Sequence, residues 1–560
     1  MATIGGVLIM SIQSSIRFAR SFSKACLLAG ISAISLAAWA EEPTLQALEA
    51  QIQRLEAQHQ AEMQALRAEI DRLKAAQAAQ ATQAPQLVQD EPPGVSGKPP
   101  PKLIESPTHQ FGLSSADGAN TIAILARLHF DYGNYFKVTP DGGKNGVGPG
   151  AVGAPLDSGI NARRARIGIG GVIESDWAYR LIYDLGNSAD STTAGVSGGV
   201  SSGVENAMIT YNGFYKKENT VPIAIDAGYM DVPFTLDEAT SSNDIMFPER
   251  SSSQVVATQF GGGDFRSAAG LRSDNGRYWA GLYLTGPTAG TPHHGADTAT
   301  YSVFGRASYQ ILQNDDLSLH VGGNAMHLFQ PRATATTTSA TSVTSTISPI
   351  SSLTLSDRPE SRVDPTNILN TGAIPASSGT VEGAEAALGW KGLFVQGEYF
   401  HYSVDQYAGG LNPVDGTANK VAPTLNFQGG YAEASYSFGG QRRYVRETGA
   451  YSGVIPDHPF TIGGGGMGAL ELAARYSTVN LNDHFTPGQA PHLTGGIDGG
   501  DQTSYELGIN WYPNTNMRMM LDYLHTDVTD LYKPVTTGKA PTALAGSHIE
   551  AITGRLQLTY

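Results

Sequence analysis

Five arginines, Arg127, Arg164, Arg166, Arg180 and Arg306, stand on the polar side of segments that alternate apolar and polar residues. A guanidinium is a planar, permanently charged fork that can hold two oxygens of an oxyanion at once. Several of them beside a narrow aqueous passage would attract phosphate-like ions. Their other use is structural: pairing with acids such as Asp184 or Glu398 to stiffen a wall. Other reactive groupings are sparse. His293 and His294 are adjacent in a loop, with no third ligand at a metal-binding spacing. The run IGGGGMG (462–468) lacks the Lys-Ser/Thr of a phosphate-binding loop and precedes a strand. No Gly-x-Ser-x-Gly stands at a strand-to-helix turn, and neither His-Glu-x-x-His nor a calcium-loop pattern occurs. No catalytic residue, metal site or cofactor is therefore expected.

The elements that must carry these arginines follow from composition and period. Of 560 residues, 66 are glycine, 16% are charged and 41% are apolar, which argues against one large soluble core. The net charge of −15 and the lack of a basic segment argue against a nucleic-acid partner. Residues 1–40 read as a signal peptide: Arg17, Arg20 and Lys24, then an apolar run from Ala25 to Leu36, then Ala38-Trp39-Ala40. The only cysteine, Cys26, lies within it, so no disulfide is expected in the exported chain.

Residues 41–78 read as a short α-helical coiled coil. Leu45, Leu48, Ile52, Leu55, His59, Met63, Leu66, Ile70 and Leu73 recur at steps of three and four, with a stutter around His59. Such a stripe calls for copies of itself. Residues 79–118 are a Pro/Gln-rich linker.

From 119 to 560 the period becomes two. About 16 segments of roughly 9–11 residues alternate, the length a tilted strand needs to cross a bilayer. They begin near Asn120, Ile160, Trp177, Glu205, Thr220, Phe265, Arg277, Ser302, Asp316, Thr380, Leu393, Leu425, Gly468, Gln502, Thr515 and Ser547. In WAYRLIYDL, Trp177, Tyr179, Leu181, Tyr183 and Leu185 share one face, opposite Arg180 and Asp184. Short connections alternate with long ones. One long connection, 439–467, falls where a short turn belongs. The Ser/Thr-rich stretch 333–357 reads as a flexible external loop. The ending AITGRLQLTY places Ile552, Leu556, Leu558 and Tyr560 toward lipid and Thr553, Arg555, Gln557 and Thr559 inward. As a last strand it is expected to pair with the first, because an open edge in lipid leaves backbone groups unsatisfied. The fold class expected is an all-β transmembrane barrel of about 16 antiparallel strands, preceded by the coiled coil.

Several stretches, in order, resemble the phosphate-selective porin O and P family of Gram-negative outer membranes. They are RRARIGIGGVIESDWAYRLIYD (163–184), DVPFTLDEATSSNDIMFPERS (231–251), FVQGEYFH (394–401), GGYAEASYSFGGQRRY (429–444), TGAYSGVIP (448–456), GALELAARYSTVNLND (468–483) and YELGINWYPNTNMRMMLDYLHTDV (505–528). The resemblance implies a homotrimer of barrels in the outer membrane, contacting lipid and lipopolysaccharide, inserted by the barrel-assembly machinery and passing small inorganic anions. It also implies inward-folded loops bearing basic residues: Arg250 in MFPERS of the third loop, and Arg442, Arg443 and Arg446 in the long turn. The chain departs from the family in its few lysines, its acidic balance, and Ser/Thr in place of a basic ladder in the fifth loop. The function expected is passive diffusion of anions, phosphate or polyphosphate. The alternative is a general or weakly cation-preferring pore of the same fold. An outer-membrane enzyme and a cell-wall tether are disfavoured, since no ordered catalytic motif or wall-binding module is present.

Overall fold

The computed structural model describes Gln64, residues 100–105, 111–141, 156–186, 203–216, 221–287, 300–314, 316–331, 333–334, 350–486, 488–529 and 546–560. The chain divides into two compact units, Met1–Gly97 and Lys98–Tyr560. In the first, Gln64 is helical; the signal peptide and the rest of the expected coiled coil lie outside the described residues.

Two short strands, β1 (Lys102–Glu105) and β2 (Phe111–Ser114), open the second unit. Sixteen longer strands follow: β3 (Thr121–Asp141), β4 (Gly159–Ile173), β5 (Trp177–Asp184), β6 (Gly203–Tyr211), β7 (Ile223–Asp231), β8 (Phe265–Asp274), β9 (Tyr278–Thr285), β10 (Tyr301–Gln313), β11 (Leu317–Gln330), β12 (Ala376–Trp390), β13 (Leu393–Gln406), β14 (Thr424–Phe438), β15 (Ala469–Asp483), β16 (Ile497–Asn514), β17 (Met517–Val528) and β18 (Gly546–Thr559). From β3 to β18 each strand pairs antiparallel with the next, and β18 closes on β3 from Gly546↔Asp141 to Thr559↔Arg127. Closure removes the sheet edge, as a barrel in lipid requires. Among the described residues no helix is long and apolar enough to cross a membrane.

Alternation explains why these segments become wall. On β18, Ile552, Leu556 and Leu558 are exposed outward, while Thr553, Arg555 and Gln557 are buried inward. On β5, Trp177, Leu181 and Tyr183 face out and Asp184 faces in. Long connections gather at one end, after β3, β5, β7, β9, β11, β13, β15 and β17, and define the external rim.

Four features differ from the sequence expectation. Residues 102–105 and 111–114, within the expected linker, form strands: β1 pairs with β2, and β2 pairs with the start of β3 (Gly112↔Ala123). They take up β3 backbone groups just beyond Tyr560, whose ring lies 6.1 Å from Phe111. Strands run from 8 residues (β5) to 21 (β3), so many outreach the bilayer band. The Ser/Thr-rich stretch ends inside the molecule: Leu353 and Leu355 are buried, with Leu369 and Ile374, against the inner wall. Finally, the lumen is not polar throughout. Tyr283, Phe304, Met326, Leu328, Phe400, Tyr402 and Val404 point inward and pack on Val256, Ala257 and Phe260 of the third loop. An apolar core therefore fills part of the barrel.

Candidate functional site

The third loop (232–264) enters the barrel as two short helices, α1 (Leu236–Ala239) and α2 (Ser252–Gln259). Thr235 caps α1 by accepting from Glu238 N, and Glu398 of β13 accepts from the N–H groups of Leu236 (2.7 Å) and Asp237 (3.0 Å). Glu398 thus positions the loop rather than pairing with a lumen arginine. The loop's central carbonyls then meet donors from the wall. Arg518 donates to Ile245 O (2.6 Å) and Met246 O (2.9 Å), Asn510 to Met246 O (3.0 Å), Gln557 to Asn243 O (3.0 Å) and Arg475 to Glu249 O (2.8 Å). The Arg475 guanidinium also stacks 4.6 Å from the Phe247 ring.

Glu249 fixes the loop by its side chain. It accepts from Arg163 Nε (2.6 Å) and Nη2 (2.9 Å) and from Arg555 Nη2 (3.0 Å). Burial works to raise its pKa, but Arg163, Arg164 and Arg555 together outweigh burial and hold it below the usual carboxylate range. Arg163 was not selected by alternation, and the reason is local. The β3–β4 register slips between His129↔Arg164 and Phe130↔Ala162, leaving Arg163 as the extra residue of a bulge. A bulge lets neighbouring side chains share a face, so Arg163 and Arg164 are both buried inside.

Residues 350–375 of the fifth loop fold in beside the third. Glu360 accepts from Ser252 N at the start of α2 (2.8 Å) and from Arg475 (3.0 Å), and Arg362 pairs with Asp357 (3.1 Å). Arg358, which the sequence reading did not single out, has its guanidinium pushed down to about 10 by burial and by neighbouring Arg362.

The long connection 439–468 also turns inward. Its arms pair at Gly440↔Pro456 and Tyr444↔Tyr451. Its tip rests on the wall: Arg306 donates to Thr448 O (2.9 Å) and Gly449 O (2.6 Å), and Trp279 Nε1 donates to Glu447 O (3.0 Å). Gly449 sits at φ 61°, and a Cβ there would meet Trp279 at 2.7 Å, so the turn needs glycine at this point. Leu236, Met246 and Phe247 of the third loop pack on Tyr451 of the turn, so the two inward segments brace each other.

The nine sequence-selected arginines therefore divide. Arg250 is buried within the third loop and donates to Asp237 O (3.2 Å) and Thr240 O (2.7 Å), tying α1 to the MFPERS segment. Burial would push its guanidinium down, but the carboxylates of Asp237, Asp264, Asp231 and Glu238 hold it above its ordinary value. Arg164 is buried near His129 (3.4 Å). Arg166 pairs with Asp184 (2.9 Å) and Glu205. Arg306 forks onto Glu385 (2.9 Å), Arg442 onto Glu471 (2.7 and 3.0 Å), and the exposed Arg446 pairs with Asp274. Arg443 is exposed on the inward turn, its backbone N–H on Ser452 Oγ (3.0 Å). Arg127 donates to Ser242 Oγ (2.5 Å) and Ser241 Oγ (3.2 Å), and Arg180 is exposed. Among the described residues, Arg127, Arg180 and Arg443 have no carboxylate within ion-pair distance.

Arg127 and Arg180 line one cavity of about 630 Å³, bounded by β3–β9, the third loop and the tip of the inward turn. Arg166 and Arg272 line it too, as do the carboxylates of Glu205, Asp226, Asp231, Glu238, Asp244 and Glu447. A second cavity, among Arg163, Arg164, Arg250, Arg362, Glu249 and Asp264, is only about 20 Å³, room for about one water. The larger one is the roomier of these two lumenal spaces, and it holds both Arg127 and Arg180.

A membrane-spanning barrel with a water-accessible, charge-lined lumen narrowed by inward loops defines a porin of the bacterial outer membrane. Residues 127–560 match the family described as phosphate-selective porin O and P, and the chain belongs to that family. It is 23% identical over 366 residues to Porin O of Pseudomonas aeruginosa, covering 65% of this chain and 75% of that one. It is 25% identical over 480 residues to an uncharacterized protein of Caulobacter vibrioides, covering 83% and 82% of the two chains. The crystal structure of the outer membrane channel DcaP of Acinetobacter baumannii aligns with a TM-score of 0.42 at 9% identity, covering 80% of this chain and 99% of that one.

Proposed function

We propose that this porin passes small anions by passive diffusion, with phosphate or polyphosphate as the solute class, and that it assembles as a homotrimer. One observation carries the anion reading. Arg127 and Arg180 face the 630 Å³ cavity without a carboxylate in ion-pair reach among the described residues. A unit charge about 6 Å from a permeating monoanion contributes between ~0.7 kcal/mol in bulk water and ~3 kcal/mol at an effective dielectric of about 20. That is enough to bias which ion enters. The family description supports phosphate as the solute. Oligomeric state is read from the native mass of the detergent-solubilised protein, where a single-barrel mass would overturn the trimer.

A second reading, a weakly cation-preferring pore, is favoured by the six carboxylates on the same cavity. Three of them are offset: Glu205 by Arg166, Asp226 by Arg272 (2.9 Å) and Glu238 by Arg266 (3.4 Å). Reversal potential across a planar bilayer in a salt gradient separates the readings. The anion reading expects an anion-signed potential, chloride current blocked by phosphate, and a shift toward cations in Arg127→Ala and Arg180→Ala. A cation-signed potential without phosphate block would replace it with the second reading.

A further inference from the structure

The last hairpin carries a group of side chains that the channel does not use. On β17, His525 and Asp527 lie two residues apart on the outward face; on β18, His548 and Glu550 do the same. The register sets His525 opposite Glu550 and Asp527 opposite His548, so the four form a square across two hydrogen-bonded strands. His525 Nε2 is 3.2 Å from Asp527 Oδ1, and His548 Nδ1 meets the same oxygen. The ligand atoms of His525, Asp527 and His548 lie within 4.8 Å of one another. The imidazoles are near-parallel, 23° apart, with ring centroids at 6.3 Å. All three residues are part-exposed, so an ion can reach them.

The position along the strand supports access. One step inward on this outer face, Tyr523 stacks on Phe136 of β3 at 6.4 Å, an aromatic pair of the kind that marks the edge of the apolar band. The square lies beyond it, toward the long connection that follows Val528, and so at the external rim.

We propose that His525 Nε2, Asp527 Oδ1 and His548 Nδ1 form a surface site for a divalent transition ion, Zn²⁺ being the probe of choice. Two imidazoles and one carboxylate suit zinc, nickel or copper, whereas magnesium and calcium prefer all-oxygen shells. Zinc bonds of about 2.0–2.2 Å in a tetrahedral shell require neighbouring ligand atoms roughly 3.3 Å apart. The His525–Asp527 separation of 3.2 Å already matches. Open coordination positions face water. Glu550 is a positioning residue: its Oε1 stands 4.0 Å from His525 Nδ1 and 2.5 Å from Lys137 Nζ, and a small closure lets it accept from Nδ1–H and leave Nε2 for the metal.

The test is calorimetric titration of ZnCl₂ into the tag-free, full-length protein in detergent, with excess Mg²⁺ present. His525→Gln and His548→Gln keep size and polarity on an outward face, and heat-modifiable migration reports an intact barrel. A His293→Ala/His294→Ala double variant is the control. Expected are one zinc per chain in the wild type and in the control, loss of that site in each Gln variant, and a dissociation constant raised about tenfold in Glu550→Gln. No zinc bound by the wild type, the site retained in both Gln variants, or its loss in the control would each overturn the proposal. An unchanged affinity in Glu550→Gln would remove Glu550 from it. If His525→Gln does not form a barrel, His548→Gln decides, and Cu²⁺ electron resonance of the wild type must show two coordinated nitrogens.

Discussion

Replacing Glu249 by Gln tests whether a buried ion cluster holds the third loop inside the barrel. Its carboxylate accepts two bonds from Arg163 (2.6 and 2.9 Å) and one from Arg555 (3.0 Å), and Arg362 lies 3.7 Å away. The Arg163 and Glu249 side chains are 2% and 5% exposed, so water does not substitute for the bond. Gln fills the same space but turns an NH₂ toward guanidinium donors, and Arg163 loses its buried carboxylate. Breaking such a pair on one side costs about 3–5 kcal/mol. Arg555 retains Asp131 (2.6 Å), and the wall still holds the loop carbonyls, which argues for the lower figure. About 3 kcal/mol multiplies the undocked population of the loop roughly a hundredfold. Cleavage by a protease acting on the loop follows that population when reclosing is fast. The expected result is cleavage within 240–250 accelerated about a hundredfold, with noisier single-channel current and unchanged heat-modifiable migration. Acceleration under about threefold with quiet channels would refute the staple, since that is less than 1 kcal/mol. The sign with pH is fixed by the lowered pKa of Glu249. Its contribution is complete above the unfolded carboxylate value of about 4.3 and is lost only as pH falls through the lower folded value. The wild type should therefore keep its loop docked at pH 5.

Two further outcomes are expected. Arg306→Ala removes the fork on Glu385 and both bonds to the tip of the inward turn, so single-channel conductance should rise; unchanged conductance would show that the turn is held without it. Leu355→Asp places a carboxylate at a fully buried site of the lumenal core, at a cost of several kcal/mol, and should expel the fifth loop. Rapid cleavage near 350–357 reports this, and resistance equal to the wild type would contradict it.

The barrel was legible because an apolar lipid-facing side and a largely polar inner side impose a period of two on most of the wall. All sixteen strands begin within five residues of the expected positions. The odd long turn was legible as an interruption of the short–long rhythm. What the period could not carry was anything set by a bulge or by distant partners. Arg163 points inward only because the β3–β4 register slips. Leu353 and Leu355 look like stray apolar residues in a Ser/Thr tract until the third loop supplies Val256 and Phe260 as packing partners. Arg250 stands in a motif that suggests an exposed cation, yet the carbonyls of Asp237 and Thr240 claim it.

The division among the arginines has one cause. A guanidinium on the inner wall lies against low dielectric, and inward loops take away its water; it is then stable only with a carboxylate or carbonyls in reach. Arg166, Arg306 and Arg442 stand where loops or neighbouring strands cover them, and each has an acid. Arg127, Arg180 and Arg443 can do without one because solvent or serine hydroxyls reach them. The same reasoning applies to acids. Among the described residues Asp231, Asp244 and Glu447 border the cavity without a cation in ion-pair distance. Charge on this cavity is therefore nearly balanced, although the whole chain carries −15. On the proposed reading, selectivity follows the placement of a few unpaired charges rather than the net charge. Neutralising Arg180 should move the reversal potential more than neutralising an acid on an outer loop, whose field is screened within about 8 Å at physiological salt.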